Sequence, residues 1–84
     1  MQFCLITFRS VTPAQRAQAV LRREGISCRL QRTPRHLESQ GCGYCVRLQL
    51  RHAHTATEHL GGAGIDYRKV YLQWEDGKLE ELKL

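Results

Sequence analysis

Two short stretches, "GISCR" at Gly25–Arg29 and "GIDYR" at Gly64–Arg68, give the clearest indication of the fold. They share Gly, Ile and Arg at equivalent positions, 39 residues apart. Each follows a helical pattern and opens a strand pattern, and a glycine in this place favours the left-handed turn that ends a helix. The chain therefore reads as two similar strand–helix–strand units.

The periodicity around the two stretches supplies the remaining elements. Alternating or continuously apolar runs predict strands, and apolar residues at helical spacing predict helices. Strands are predicted over 2–8, 27–32, 44–50 and 66–74, and helices over 11–25 and 52–64. This order predicts an α+β, ferredoxin-like β-α-β-β-α-β sandwich with an antiparallel sheet and both helices on one face. Residues 1–75 form a single domain, and residues 76–84 form a short hairpin strand or a charged tail.

Composition and charge limit the functional classes. The formal net charge is +5, and the segment from Arg9 to Arg35 holds seven arginines and one acid, Glu24. Such a basic body suits an anionic partner, or else it only maintains solubility. No apolar run reaches the roughly 20 residues that span a membrane, and the start does not resemble a signal peptide. We therefore expect a cytoplasmic protein without membrane contact, whose thiols stay reduced.

The stretch "GCGYC" places Cys42 and Cys45 in a C-x-x-C spacing, which suits a disulfide or two metal ligands. In thioredoxin-like proteins this motif opens a helix, whose N-terminus lowers the thiol pKa. Here "VRLQL" follows and alternates as a strand, so a thioredoxin-type oxidoreductase is excluded. Cys42, in a loop between glycines, is predicted to be the nucleophile, and Cys45 the resolving thiol.

Strand parity assigns the sheet faces. Cys28 falls on the helix-covered face, and Cys4 lies in an apolar strand, so both are predicted to be buried and inert. Cys45, Arg47 and Arg29 fall on the other face, where Cys45 is expected to be the first exposed position of its strand. Arg35, Arg47 and Arg29 are the cations expected to stabilise a thiolate, because no helix N-terminus is available.

The chain also resembles a known family. "ITFRSVTPAQRAQAVLRREGI", "RTPR", "CGYCVRL" and "AGIDYRKVY" are similar to a set of small bacterial proteins described as selenium/sulfur carrier protein-like. The resemblance implies that Cys42 is the carrier cysteine, with Gly43 its partner in the turn. A persulfide or perselenide would then form on Cys42, received from a donor protein and passed to an acceptor protein. This implies a non-enzymatic carrier rather than a catalyst, with no cofactor and no resident metal.

Two other functions stay open at this point. A basic ferredoxin-like domain could bind RNA or a protein without thiol chemistry, with Tyr67 and Tyr71 as stacking residues. The sequence favours protein over nucleic acid, because the aromatic positions of an RNA-recognition strand hold Cys45 and Leu48. Alternatively, the C-x-x-C pairs of two chains could share a metal ion. A homodimer through the open sheet face or an edge strand is also left open.

Overall fold

The computed structural model describes residues 2–37 and 43–83 of the chain. Five strands and two α-helices are present in this part, and a short 3₁₀ turn precedes the second helix. In chain order they are β1 (Phe3–Phe8), α1 (Val11–Arg23), β2 (Cys28–Arg32), β3 (Tyr44–Gln49), the turn Leu50–His52, α2 (Ala53–Gly62), β4 (Val70–Gln73) and β5 (Leu79–Leu82).

The strands form one sheet in the order β2-β3-β1-β4-β5, and every neighbouring pair is antiparallel. The first four strands have the arrangement of a ferredoxin-like sandwich, with β1 and β3 in the centre. The predicted fold class is therefore confirmed. β5 adds a strand beyond β4 through the turn at Gly77, whose φ is +90°.

The two repeated stretches end their helices in the same way. Gly25 and Gly64 have φ values of +82° and +71°, in the region that glycine adopts at little cost. Ile26 and Ile65 each donate a backbone hydrogen bond to the carbonyl five residues earlier, at 2.8 and 2.9 Å. Both isoleucines are buried, so each turn also anchors its helix to the core. The predicted internal repeat is thus a shared helix-ending turn.

The main hydrophobic core lies between the two helices and one face of the sheet. Both helices bury small residues against the sheet, which lets their backbones pack closely. The largest fully buried side chains of this core include Ile6, Phe8, Leu21 and Leu60. Since α1 and α2 cover the same face, this layer supplies most of the apolar burial that stabilises so short a chain.

The opposite side of the sheet, which we call the second face, carries a smaller cluster. It contains Leu5, Cys45 and Tyr71, and the partly buried Leu37 and Leu79 pack against them. Because Leu37 comes from the β2–β3 connection, part of that connection lies across the sheet. The sequence pattern predicted an open second face. The structure shows that this face is partly covered.

Within the described residues, no helix has both the length and the apolar character needed to cross a membrane.

Candidate functional site

Three of the four cysteines lie in the described part of the chain, and each is a free, buried thiol. Burial raises the pKa of Cys4 to about 12. Burial also raises the pKa of Cys28, although the Arg22 guanidinium partly counteracts it. The pKa of Cys45 is raised by burial as well, and the side chains of Thr33 and Gln31 act in the opposite direction. A thiol with a raised pKa is protonated at neutral pH and is a poor nucleophile.

The burial predicted for Cys4 and Cys28 is confirmed, and the exposure predicted for Cys45 is wrong. Cys45 is 0% exposed. Its side chain does point to the second face, as parity predicted, but Leu37 packs over that cluster. The backbone N–H of Leu37 donates to the carbonyl of Pro34 at 3.0 Å, which forms the turn that brings Leu37 back to the sheet. The alternating pattern could not predict this cover, because it comes from a loop.

Cys42 lies outside the described residues, so its role as the carrier thiol stays a prediction. Gly43, to which Cys42 is covalently bonded, is described and buried. The carbonyl of Gly43 accepts a hydrogen bond from the Thr33 backbone N–H at 3.1 Å, which extends the β2–β3 ladder by one pair. Gly43 therefore marks the end of the sheet from which the thiol-bearing connection departs.

Thr33 is a residue of this site that sequence reasoning did not single out. Its side chain is 9% exposed, and within the described residues its hydroxyl has no hydrogen-bond partner of good geometry. It is nevertheless near enough to Cys45 to lower the pKa of that thiol. A buried hydroxyl that lacks a partner is costly, and the described residues leave the hydrogen-bonding capacity of Thr33 unused. The only signal in the sequence was its place in the "TPR" segment.

The predicted cations are divided between the two ends of the second face. Arg35 is exposed in the turn that carries Leu37. Arg47 donates from Nε to Gln73 Oε1 at 3.1 Å, and its guanidinium carbon lies 3.7 Å from the centre of the Phe3 ring.

Register shows that these contacts draw Arg47 away from Cys45. Phe3 pairs with Gln49, which follows Arg47 in β3, whereas Cys45 precedes it. Arg29 is exposed and lies directly opposite Arg47 on β2. The structure thus groups Arg29 with Arg47, and it leaves Arg35 in the connection that carries Cys42.

The described residues bring together no group of three His, Cys, Asp or Glu side chains that could hold a metal ion. Cys42 belongs to the segment outside them, so a metal shared by two C-x-x-C pairs stays a prediction.

The aromatic residues do not form the stacking surface that the RNA alternative required. Tyr67 packs against the main core, and Tyr71 is 9% exposed in the second-face cluster. The Phe3 ring has a guanidinium over one face. Trp74 is exposed, but its indole N–H donates to Glu80, and acidic surroundings disfavour nucleic acid. A base would find no free tyrosine face beside the arginines of the second face.

These features define a small ferredoxin-like domain with three protonated, buried thiols and a fourth cysteine next to a glycine at the end of the sheet. The chain belongs to the family described as "Putative Se/S carrier protein-like", which matches residues 3–72. No curated protein and no solved structure matches the chain.

Proposed function

We propose that this protein carries sulfur or selenium as a persulfide or perselenide on Cys42. Two observations support the proposal. The family description names such a carrier. The three described cysteines are buried, with pKa values raised by that burial, so they are poor candidates for a thiolate at neutral pH. The second observation carries the assignment, because it leaves the reactive role to Cys42.

The loading step is a thiol exchange. The Cys42 thiolate attacks the outer sulfur of a donor protein's persulfide, the donor's S–S bond breaks, and the donor cysteine leaves as a thiolate. A new S–S bond forms on Cys42, and no external oxidant is consumed. Delivery is the same reaction with a thiolate of an acceptor protein as the nucleophile. A perselenide follows the same course with selenium as the transferred atom.

Arg35 and Gly43 support the anion in this proposal. Arg35 is exposed in the turn that leads into the Cys42 segment, so its guanidinium can approach the terminal sulfur. A charge-assisted hydrogen bond of this kind contributes about 1.5–3 kcal/mol. Gly43 is buried at the end of the sheet and adds no side chain beside Cys42. A free reactive thiol also suits a reducing compartment such as the cytoplasm.

Cys45 has a secondary role. If its thiolate attacked the inner sulfur of the loaded Cys42, a Cys42–Cys45 disulfide would form and hydrosulfide would leave, and a dithiol reductant would be needed to restore the carrier. Burial under Leu37 keeps Cys45 protonated, so this route is slower than direct transfer to an acceptor. Loading should therefore not require Cys45.

The test uses a cysteine desulfurase with cysteine as the sulfur source, followed by intact mass measurement of the carrier. We expect a gain of about 32 Da on the wild type, which corresponds to one persulfide sulfur. Cys42→Ser should show no gain, and Cys45→Ala should load to the same extent as the wild type. A gain on Cys42→Ser equal to that of the wild type, or none on the wild type, would contradict the proposal.

The contribution of Arg35 is tested in the same assay. Arg35→Gln should slow loading by about tenfold if its guanidinium stabilises the anionic sulfur. Arg16→Gln, an exposed change on α1, is the matched control and should load like the wild type. Equal rates for both variants would remove Arg35 from the site.

A further inference from the structure

Three arginines from three elements line one groove at the end of the sheet away from Cys45. Arg22 comes from the last turn of α1, Arg29 from β2 and Arg47 from β3. Among the described lining residues, every charged side chain is an arginine. Positive charges without an opposing carboxylate create a local field that attracts an anion.

The strand register forces two of these arginines together. Arg29 and Arg47 are direct cross-strand partners, and their side chains emerge on the same face of the sheet. Within the described residues, neither forms an ion pair with a carboxylate. Like charges in directly opposed positions destabilise a sheet. A ligand group with two negative charges balances both arginines, whereas a single carboxylate leaves one positive charge uncompensated.

The groove is partly organised in advance. Arg47 is held by its Nε bond to Gln73 and by its stacking on Phe3, and these contacts leave its terminal nitrogens as the groups able to bind a ligand. One terminal nitrogen of Arg22 lies 3.5 Å from the carbonyl oxygen of Cys28, which places this arginine beside the first residue of β2. An arginine held in place loses less conformational entropy when it binds.

The size and the lining of the groove suit a small molecule. Its volume is about 390 Å³, which falls within the range of small-molecule sites, about 300–1,000 Å³. Ser27 and Gln49 add a hydroxyl and an amide to the lining, and both groups can donate a hydrogen bond to an oxyanion. Guanidinium groups bind phosphate oxygens through two parallel hydrogen bonds. The lining therefore matches a small molecule that carries a phosphate.

We propose that this groove binds the phosphate-monoester group of a small ligand, with Arg29 and Arg47 contacting the phosphate oxygens. Such a group carries a charge of about −1.5 to −2 at neutral pH, which matches the two opposed arginines. Arg22 adds a third positive charge at the edge of β2. Binding at this site requires no thiol chemistry, so it goes beyond the proposed carrier function.

A phosphate monoester is favoured over nucleic acid by its charge and by the surroundings of the arginines. Each phosphodiester of a nucleic acid strand carries only one negative charge, and binding of a single strand relies on aromatic faces. The Phe3 ring already has the Arg47 guanidinium over one face. The groups that remain for binding are therefore the arginines themselves, which favour the ligand group with the higher charge.

The test uses the full-length, isotope-labelled protein at constant ionic strength and a pH of about 7.5, where a phosphate monoester is mostly dianionic. Glycerol 3-phosphate, inorganic phosphate and dimethyl phosphate are titrated separately, and the arginine Nε–Hε resonances are followed by NMR. We expect glycerol 3-phosphate to give saturable shifts at Arg29 and Arg47. Dimethyl phosphate has the same tetrahedral centre with one charge, and it should bind about tenfold more weakly or worse.

Inorganic phosphate separates the two sources of the same dianion. Because the groove has room beyond the phosphate group, the ester should bind more tightly than inorganic phosphate. Cys42→Ser should bind glycerol 3-phosphate as the wild type does. Loss of persulfide loading with phosphate binding intact, or the reverse, therefore shows which of the two proposed functions fails.

Three variants locate the site. Arg29→Gln, an exposed change, should weaken binding of glycerol 3-phosphate by about tenfold, as expected for the loss of one charge-assisted hydrogen bond. Gln73→Ala leaves the charge unchanged but frees Arg47, and it should weaken binding by about threefold. Arg23→Gln removes the same charge from an exposed position of α1 outside the described lining of the groove, and binding should stay within about twofold of the wild type.

Four results would overturn the proposal. The first is the absence of saturable shifts at Arg29 and Arg47, and the second is equal binding of dimethyl phosphate. Equal weakening by Arg29→Gln and Arg23→Gln would show that only the overall positive charge attracts the anion. Tighter binding of a short oligouridylate at the same arginines would assign the groove to nucleic acid.

Discussion

The two faces of the sheet are buried by different means. The face with Ile6 and Phe8 is covered by two helices, each fixed by the same Gly-Ile turn. The second face is covered only in part, by Leu37 and Leu79, which come from a loop and from the last strand. A helix-covered core resists local opening, whereas a loop-covered cluster opens at lower free energy. Cys45 belongs to the second kind of surface.

The largest expected effect is a difference in stability between a substitution on the helix-covered face and one on the second face. Phe8→Ala should lower the free energy of unfolding by about 3–5 kcal/mol, because it leaves a cavity in the helix-covered core. Leu5→Ala should cost about 2–3 kcal/mol, because the thinner second cluster can collapse around the change. Urea denaturation of both variants measures the difference. A larger loss for Leu5→Ala would show that the second face is the more rigid core.

The next effect is alkaline destabilisation by the thiols. Below pH 9 the Cys4 thiol is protonated in both the folded and the unfolded chain, since its ordinary pKa is 9.0. Above that pH the unfolded chain loses the proton first, so stability falls until the folded pKa of about 12 is reached.

Replacing Cys4 isolates this contribution. Cys4→Ala should reduce the slope of stability against pH in this window, whatever its effect at neutral pH. Unfolding is measured at a series of alkaline pH values for the wild type, Cys4→Ala and Cys45→Ala. Because Thr33 and Gln31 partly offset the shift at Cys45, Cys45→Ala should change the slope less. The reverse order would mean that Cys45 is the more strongly desolvated thiol.

A third prediction concerns the cover over Cys45. Leu37→Ala should cost only about 1 kcal/mol, because Leu37 is partly exposed. It should nevertheless speed labelling of Cys45 by a thiol reagent about fivefold or more, since access depends on local opening. The measurement is made in the Cys42→Ser background, and Leu79→Ala serves as the comparison at the other edge of the cluster. Unchanged labelling would show that Leu37 does not limit access.

The smallest effect is expected at Thr33. Thr33→Val keeps the shape of the side chain and removes a buried hydroxyl that has no partner within the described residues. We expect a change between zero and about 1 kcal/mol in favour of the folded state. Cys45 should label more slowly, because the group that lowers its pKa is lost. A destabilisation above about 1 kcal/mol would show that the hydroxyl has a partner in the native protein.

The fold could be predicted from the sequence more fully than the candidate site. The order of strands and helices follows from apolar periodicity, and the repeat at Gly25 and Gly64 follows from a glycine requirement of the backbone. The direction of the Cys45 side chain was also predicted, since parity is a local property. Its burial was not, because Leu37 reaches it from a loop whose path no periodic pattern encodes.

The arginines show the same contrast between local properties, which the sequence predicted, and tertiary contacts, which it did not. Their presence and charge were evident in the sequence, and parity placed Arg29 and Arg47 on one face. Their direct opposition depends on the register of β2 and β3. The turning of Arg47 towards Phe3 and away from Cys45 depends on the partner strand β1. These are pairings between residues distant in the chain, so composition and spacing alone could not supply them.

The elements, their order, the helix-ending turns and the spacing of Cys42 and Cys45 could all be predicted from the sequence. These properties depend on local backbone preferences and on short-range apolar patterns. The tertiary structure alone decided that Cys45 is a buried and protonated thiol, and that Arg29 and Arg47 form a groove at the far end of the sheet. The reason is physical: burial, pKa and charge proximity depend on which distant segments pack together.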